Sequence, residues 1–176
     1  MQGRGVEEIS MPQEQAQEHW FALKIFYNRA KEVIEKLQTA GIRHYQAVDA
    51  KGKPLIAGLV FVQTEKRRIE EFKRVNDNRL LIYQNADRQP AVISDREMDN
   101  FIKVTQAAAQ GLVYIGEDSP KYHEGQRVRV LSGPYQGIEG YIKRIKKDRR
   151  LLVCVSGVAV LATGYVNPRD VEPVVD

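Results

Sequence analysis

Apolar and polar positions alternate along HWFALKIFY (19–27), with Phe21, Leu23 and Ile25 on one side, which predicts a strand. The period then changes. In NRAKEVIEKLQTAG, Ala30, Val33, Ile34 and Leu37 follow the i, i+3, i+4, i+7 spacing of a helix face. Asn28 is the expected N-cap, Glu32 and Lys36 form an i, i+4 pair, and Gly41 suits a left-handed stop. IRHYQAV (42–48) predicts a second strand, AKGK (50–53) a turn, and PLIAGLVFVQ (54–63) a third strand. EKRRIEEFKRV (65–75) reads as a charged helix with Ile69 and Phe72 inward, and LLIYQ (80–84) as a fourth strand. SDREMDNFIKVTQAAAQG opens on a capping box, Ser94 with Glu97, and Asp95 adds charge to the first turn. Met98, Phe101, Ile102 and Thr105 share its apolar face, and Gly111 can end it. The order β-α-β-β-α-β-α predicts an α+β fold, helices flanking a mainly antiparallel sheet.

The pattern changes after residue 110. GLVYIGEDSPKYHEG is punctuated by Gly116, Pro120 and Gly125, and beyond it only short strands are expected: 127–131, 139–145, 151–156 and 160–166. Regular short strands with tight turns predict a small β-barrel. The chain therefore divides into a polar leader (1–18), an α+β domain (19–110), a linker (111–122) and a barrel domain (123–176).

Composition sharpens this division. With 43% hydrophobic and 28% charged residues the chain can bury a core and stay soluble. Residues 1–120 carry 17 basic and 17 acidic side chains, whereas 121–150 carry nine basic and three acidic. That excess comes from KRIKKDRR (143–150): Lys143, Arg144, Lys146, Lys147, Arg149 and Arg150. Such a block attracts phosphate backbones without reading sequence; its plainer reading is a solvated hairpin turn. The longest apolar run, 151–164, is broken by Ser156 and Gly157 and is too short to cross a bilayer. No secretory pattern opens the chain, so a cytoplasmic monomer without a membrane partner is expected. Cys154, the only cysteine, reads as a small buried hydrophobe among valines.

The run GPYQGIEG decides between two functional classes. Gly133, Gly137 and Gly140 fit neither G-x-x-x-x-G-K-[ST] nor G-x-G-x-x-G, and a strand follows them where a phosphate loop needs a helix N-terminus. Pro134 presets φ at a turn and the glycines permit positive φ or close approach, so the run reads as a structural turn. His19, His44 and His123 are far apart in sequence and lack ligand spacing, and no serine sits in G-x-S-x-G. No catalytic residue, metal or cofactor is expected.

GQRVRVLSGPYQGIEGYI resembles a KOW motif, the strand–turn–strand that begins an SH3-like barrel. HWFALKIFYNRAKEVIEKL, AGLVFVQ and QPAVISDREMDNF resemble, in the same order, the opening, central strand and last helix of the NusG N-terminal (NGN) domain. The resemblance runs from about residue 19 to 174 and points to a NusG-like paralogue similar to the UpxY antiterminators of capsular polysaccharide operons. It implies an NGN domain that binds the clamp helices of RNA polymerase through an apolar depression and suppresses pausing or termination. By position it places polymerase contacts at Leu55 and Ile56, with Phe26 and Tyr27 nearby; Trp20 reads better as core. It also implies RNA or non-template DNA as a second partner. Two departures matter. FYNRA replaces the usual Phe-Ser-Gly turn, and SGVAVLATG lacks the Gly-Arg pair that meets Rho or a ribosomal protein, which counts against those partners. The β-branched VCVSGV favours strands over a helical refolding of the second domain. The reading from another class is a KOW-type RNA-binding or ribosome-associated protein acting through KRIKKDRR.

Overall fold

The expected order of elements recurs in a computed structural model, which describes residues 17–107 and 111–175. The first unit comprises β1 (Glu18–Ile25), α1 (Ala30–Thr39), β2 (Arg43–Tyr45), β3 (Leu59–Glu65), α2 (Lys66–Val75), β4 (Leu80–Ile82) and α3 (Asp95–Gln106). Its sheet is antiparallel throughout, in the order β2-β3-β1-β4. Because side chains alternate across a strand, β1 feeds two cores. Phe21, Leu23 and Ile25 meet Val33, Leu37, Ile69 and Phe72 of α1 and α2. Trp20 and Ala22 face the other way, with Phe61 of β3 and with Met98, Phe101 and Val104 of α3. Each fully buried Val, Leu, Ile, Phe or Met among them contributes about 1.5–3 kcal/mol.

Several local expectations are corrected. Asn28 is not the N-cap of α1: that place falls to Arg29, and no side chain caps the helix. Tyr27 and Asn28 instead take positive φ, both 56°, in the turn that leaves β1. The third strand begins at Leu59 rather than Pro54, and the second stops at Tyr45. The intervening chain closes on Asp49, whose Oδ1 accepts the Lys51 and Lys53 N–H groups at 2.8 and 2.9 Å. An Asx turn of this kind competes with strand pairing. The Ser94 hydroxyl does cap α3, accepting the Glu97 N–H at 3.2 Å. The Glu97 carboxylate, however, does not return to the helix end; it accepts from the Ser156 N–H and hydroxyl of the second unit.

The second unit is a six-stranded antiparallel sheet, ordered β10-β6-β7-β8-β9-β5. Its strands are β5 (Val113–Gly116), β6 (Arg127–Val130), β7 (Glu139–Ile145), β8 (Asp148–Val155), β9 (Ala159–Tyr165) and β10 (Val171–Pro173). Strand β8 is covered on both faces, which accounts for its unbroken apolar run. Leu151, Val153 and Val155 join the core that contains α3, while Leu152 packs with Val160 and Ala162. The segment expected as a linker holds β5, which pairs with β9, so the second sheet begins there. The expected leader lies, apart from its last two residues, outside the described residues.

The turn before β7 explains its glycines. Gly133 and Gly137 have φ of 85° and 84°, and the Gly137 N–H donates to the Val130 carbonyl at 2.8 Å. Gly140 is needed for another reason: a Cβ there would lie 2.1 Å from the Leu152 carbonyl oxygen on β8. Strand β7, not a helix, follows, as the reading of GPYQGIEG expected.

Candidate functional site

The first sheet has one face shared between α3 and the second unit. Trp20, Ala22 and Lys24 of β1 lie in register with Gln63, Phe61 and Leu59 of β3, and Tyr45 of β2 stands beside Phe61. Phe101 packs edge-on against both Phe61 and Tyr45, with ring centroids 4.9 and 6.2 Å apart. Trp20 is 4% exposed beneath the Arg43 guanidinium, so it is core, as expected.

The four residues expected to contact a partner are divided by burial. Ile56 is 8% exposed and meets Ala47, Leu59, Phe61 and Phe101 with no room for water between them. Leu55 is half-buried at the rim of an open groove of about 560 Å³, shared with Tyr45, Val48, Thr105 and Leu112. Phe26 is half-buried and Tyr27 is 84% exposed at the end of β1. The Ile25 N–H donates to the Gly58 carbonyl at 2.7 Å, which sets this aromatic turn at the same end of the sheet as the loop carrying Leu55 and Ile56. Gly58 permits that approach: with φ of 74°, a Cβ would stand 2.5 Å from the Ile25 oxygen.

The second unit covers another part of this face. Glu117, just after β5, pairs with Lys24 at 3.8 Å. Burial first, and then Glu117 and Tyr114, push the Tyr83 phenol above its ordinary range. Arg96 of α3 donates to Glu139 of β7, Nε to Oε2 at 2.7 Å and an η nitrogen to Oε1 at 2.8 Å. Arg129 adds a 2.8 Å bond to Oε1, and the Asn100 side-chain oxygen accepts the Glu139 N–H at 3.1 Å. The Arg96 bond is the largest influence holding the Glu139 carboxyl below its usual value, and Arg129 adds to it. Underneath, Met98 and Phe101 belong to the same apolar cluster as Val128, Ile138 and Val153.

The basic block forms the β7–β8 hairpin. Its register sets Lys143 opposite Arg150 and Arg144 opposite Arg149, with Lys146 at the turn in positive φ. Like charges directly opposite one another are destabilising, so the sequence carries a cost here that folding alone does not require. Lys143 is tied to the Lys121 carbonyl and to Glu124. Among the described residues no ion pair holds Arg144, Lys146, Lys147 or Arg149. The Gly133–Pro134 turn stands apart from this hairpin, beside Tyr165 and Asn167 in a shallow groove of about 370 Å³.

In sequence His123 lacks ligand spacing to the other histidines, although Asp118 lies five residues before it. The fold brings it to Asp118 and Cys154, their ligand atoms within 4.8 Å of one another. Cys154 is correspondingly half-buried rather than a fully enclosed hydrophobe.

With this geometry in hand, the chain can be compared with known proteins. Residues 18–102 match the family model described as transcription termination factor NusG. The match runs from β1 into α3, a little under half of the 176 residues. No curated protein matches the chain in sequence. Among solved structures, one on domain interaction in Thermotoga maritima NusG is similar at 19% identity, with a TM-score of 0.52. It covers 90% of this chain and 98% of its own. At that identity the likeness concerns the fold: a NusG-like α+β unit followed by an SH3-like antiparallel one. Among the described residues no helix is long and apolar enough to cross a membrane.

Proposed function

We propose that this chain is a NusG-type transcription elongation factor that binds RNA polymerase through its first unit and suppresses pausing or termination. The observation that carries the reading is the family match over 18–102, which coincides with a complete sheet that presents Leu55 at the rim of an open groove and exposes Tyr27 at the end of β1. A helix tip of polymerase laid in that groove would bury apolar side chains on both partners. The contact between α3 and the second sheet, with the Lys24–Glu117 pair, narrows the approach to this face. Engagement of polymerase therefore involves separation of the two units. Antitermination at polysaccharide biosynthesis operons is the more specific form of the proposal and rests on the resemblance to UpxY antiterminators.

The test is binding of full-length protein to core RNA polymerase, paired with single-round transcription through a defined pause. Leu55→Asp, in the groove rim, is expected to weaken binding and restore the pause. Unchanged binding by a folded Leu55→Asp protein rejects the groove as the contact.

A second reading has its own support in the like-charged register of Lys143–Arg150 and Arg144–Arg149. A nucleic-acid backbone lying along this hairpin would neutralise cations that the fold sets side by side. The two readings are compatible, since the groove and the hairpin belong to different units.

A further inference from the structure

Asp118 follows β5, His123 ends a single 3-10 turn (Pro120–His123), and Cys154 lies on β8, so three unlike donors converge from three separate elements. His123 Nε2 stands 2.8 Å from both Oδ1 and Oδ2 of Asp118. One N–H shared equally by two oxygens is poorly directed toward either. A cation at this point would satisfy both side chains more fully. Around a tetrahedral zinc ion, bonds of ~2.0–2.3 Å separate neighbouring donors by roughly 3.3–3.6 Å. Donors already within 4.8 Å of one another need only small side-chain adjustments to reach this.

The surroundings have the character of an outer shell. The Gly157 N–H donates to Asp118 Oδ2 at 2.8 Å and orients the carboxylate. The His123 ring rests against Tyr141, centroids 5.5 Å apart, which fixes its plane. The Asp118 side chain is only 6% exposed. A cavity of about 150 Å³, whose lining includes His123, Cys154 and Ser156 together with Arg96, Arg127 and Glu139, opens onto two of the three donors and has room for a water.

We propose that Asp118, His123 and Cys154 form a zinc site, with a water as fourth ligand. Sulfur argues against magnesium and calcium, and a mixed sulfur, nitrogen and oxygen set in a tetrahedral space suits zinc. On binding, the Cys154 thiol gives its proton to solvent and the sulfur forms the metal bond. His123 keeps its proton on Nδ1 so that the Nε2 lone pair faces the ion. No electron changes hands. The ion pins the chain between β5 and β6 onto β8, next to the Glu97–Ser156 contact.

The experiment is titration of tag-free, fully reduced, full-length protein with Co²⁺, followed by displacement with Zn²⁺. The expected result is one Co²⁺ per chain, visible bands of a tetrahedral ion, and a thiolate-to-cobalt charge-transfer band that Zn²⁺ bleaches. Cys154→Ser should lose the charge-transfer band. His123→Gln, which keeps a donor toward Asp118, should retain wild-type circular dichroism and weaken metal binding roughly 10-fold or more. Absence of the thiolate band in folded wild type at one equivalent of Co²⁺ overturns the site. So does an unchanged band and affinity in His123→Gln, and these two measurements decide the matter even if Cys154→Ser fails to fold.

Discussion

Arg96 and Glu139 are 43 residues apart in the chain, yet they form a two-point, charge-assisted contact between the last helix of the first unit and the second sheet. Glu139 is 9% exposed, so its charge depends on this partner and on Arg129. Arg96→Ala removes the two-point partner and leaves a nearly buried carboxylate with Arg129 at 2.8 Å and Arg127 at 3.8 Å. The expected loss of stability is about 1–3 kcal/mol in urea unfolding. The same variant should bind core polymerase more tightly, because the second unit is held less firmly.

The contact gives stability a defined acid limb. The Glu139 carboxyl is lowered from 4.5, so its folded state binds fewer protons than the unfolded chain in the acid range. Its contribution is fully present above the ordinary carboxylate pKa and is lost as pH falls through the lowered folded value. Glu139→Gln should flatten that limb of the stability–pH profile, while well above pH 4.5 it changes stability only by a constant offset.

Two nearby glycines, Gly137 in the β6–β7 turn and Gly140 within β7, should respond differently to alanine. Gly140→Ala sets a methyl against the Leu152 backbone, which cannot swing aside, and should cost on the order of 3 kcal/mol. Gly137→Ala meets nothing within 4 Å and carries only the strain of positive φ, roughly 1–2 kcal/mol. Thermal melts of the two variants check the order.

The hairpin cations are expected to act on ligand and fold in opposite directions. Replacing Arg144, Lys146, Lys147 and Arg149 by Gln should lower affinity for RNA and reduce the slope of log K against log salt by roughly 0.7 per lost phosphate contact on a single strand. Stability should hold or rise, since the Arg144–Arg149 repulsion is relieved. Filter binding across a salt series and a melt of the same protein measure both.

Leu55 and Ile56 are adjacent but should behave as different kinds of residue. Ile56→Asp buries a carboxylate among Ala47, Leu59 and Phe61 and should unfold the first unit. Leu55→Asp at the groove rim should leave the melting temperature within a few degrees of wild type. Comparing the two by circular dichroism separates a contact surface from a core position.

That pair also shows how far the sequence could be read. Period-2 and period-3.6 patterns report which side of an element is apolar, and they recovered β1, the three helices and the β-α-β-β-α-β-α order. They do not report what lies beyond the apolar side, so they did not distinguish Ile56, 8% exposed, from the half-buried Leu55 beside it. Strands β5 and β10 escaped notice because β5 lies in a run punctuated by Gly111 and Gly116 and β10 ends on Pro173, signals that read as loop. The Ser94 cap was legible because its partner is three residues away. Glu97 looked committed to the same cap because its true partner, Ser156, lies 59 residues on. Cys154 was invisible beside Asp118 and His123 for the same reason: those two are five residues apart, but only pairing of β5 and β8 with β9 brings Cys154 to them.

Because β5 belongs to the second sheet, only residues 107–112 separate the end of α3 from its first strand. Six residues reach roughly 20–22 Å even when fully extended. If the units part, neither can diffuse far, and each faces the other at an effective concentration in the millimolar range typical of short tethers. The clasp between Arg96 and Glu139 therefore need not be strong to be occupied most of the time. Any outside partner must outcompete a neighbour that never leaves, so shortening or lengthening this tether would tune the threshold at which the protein engages it.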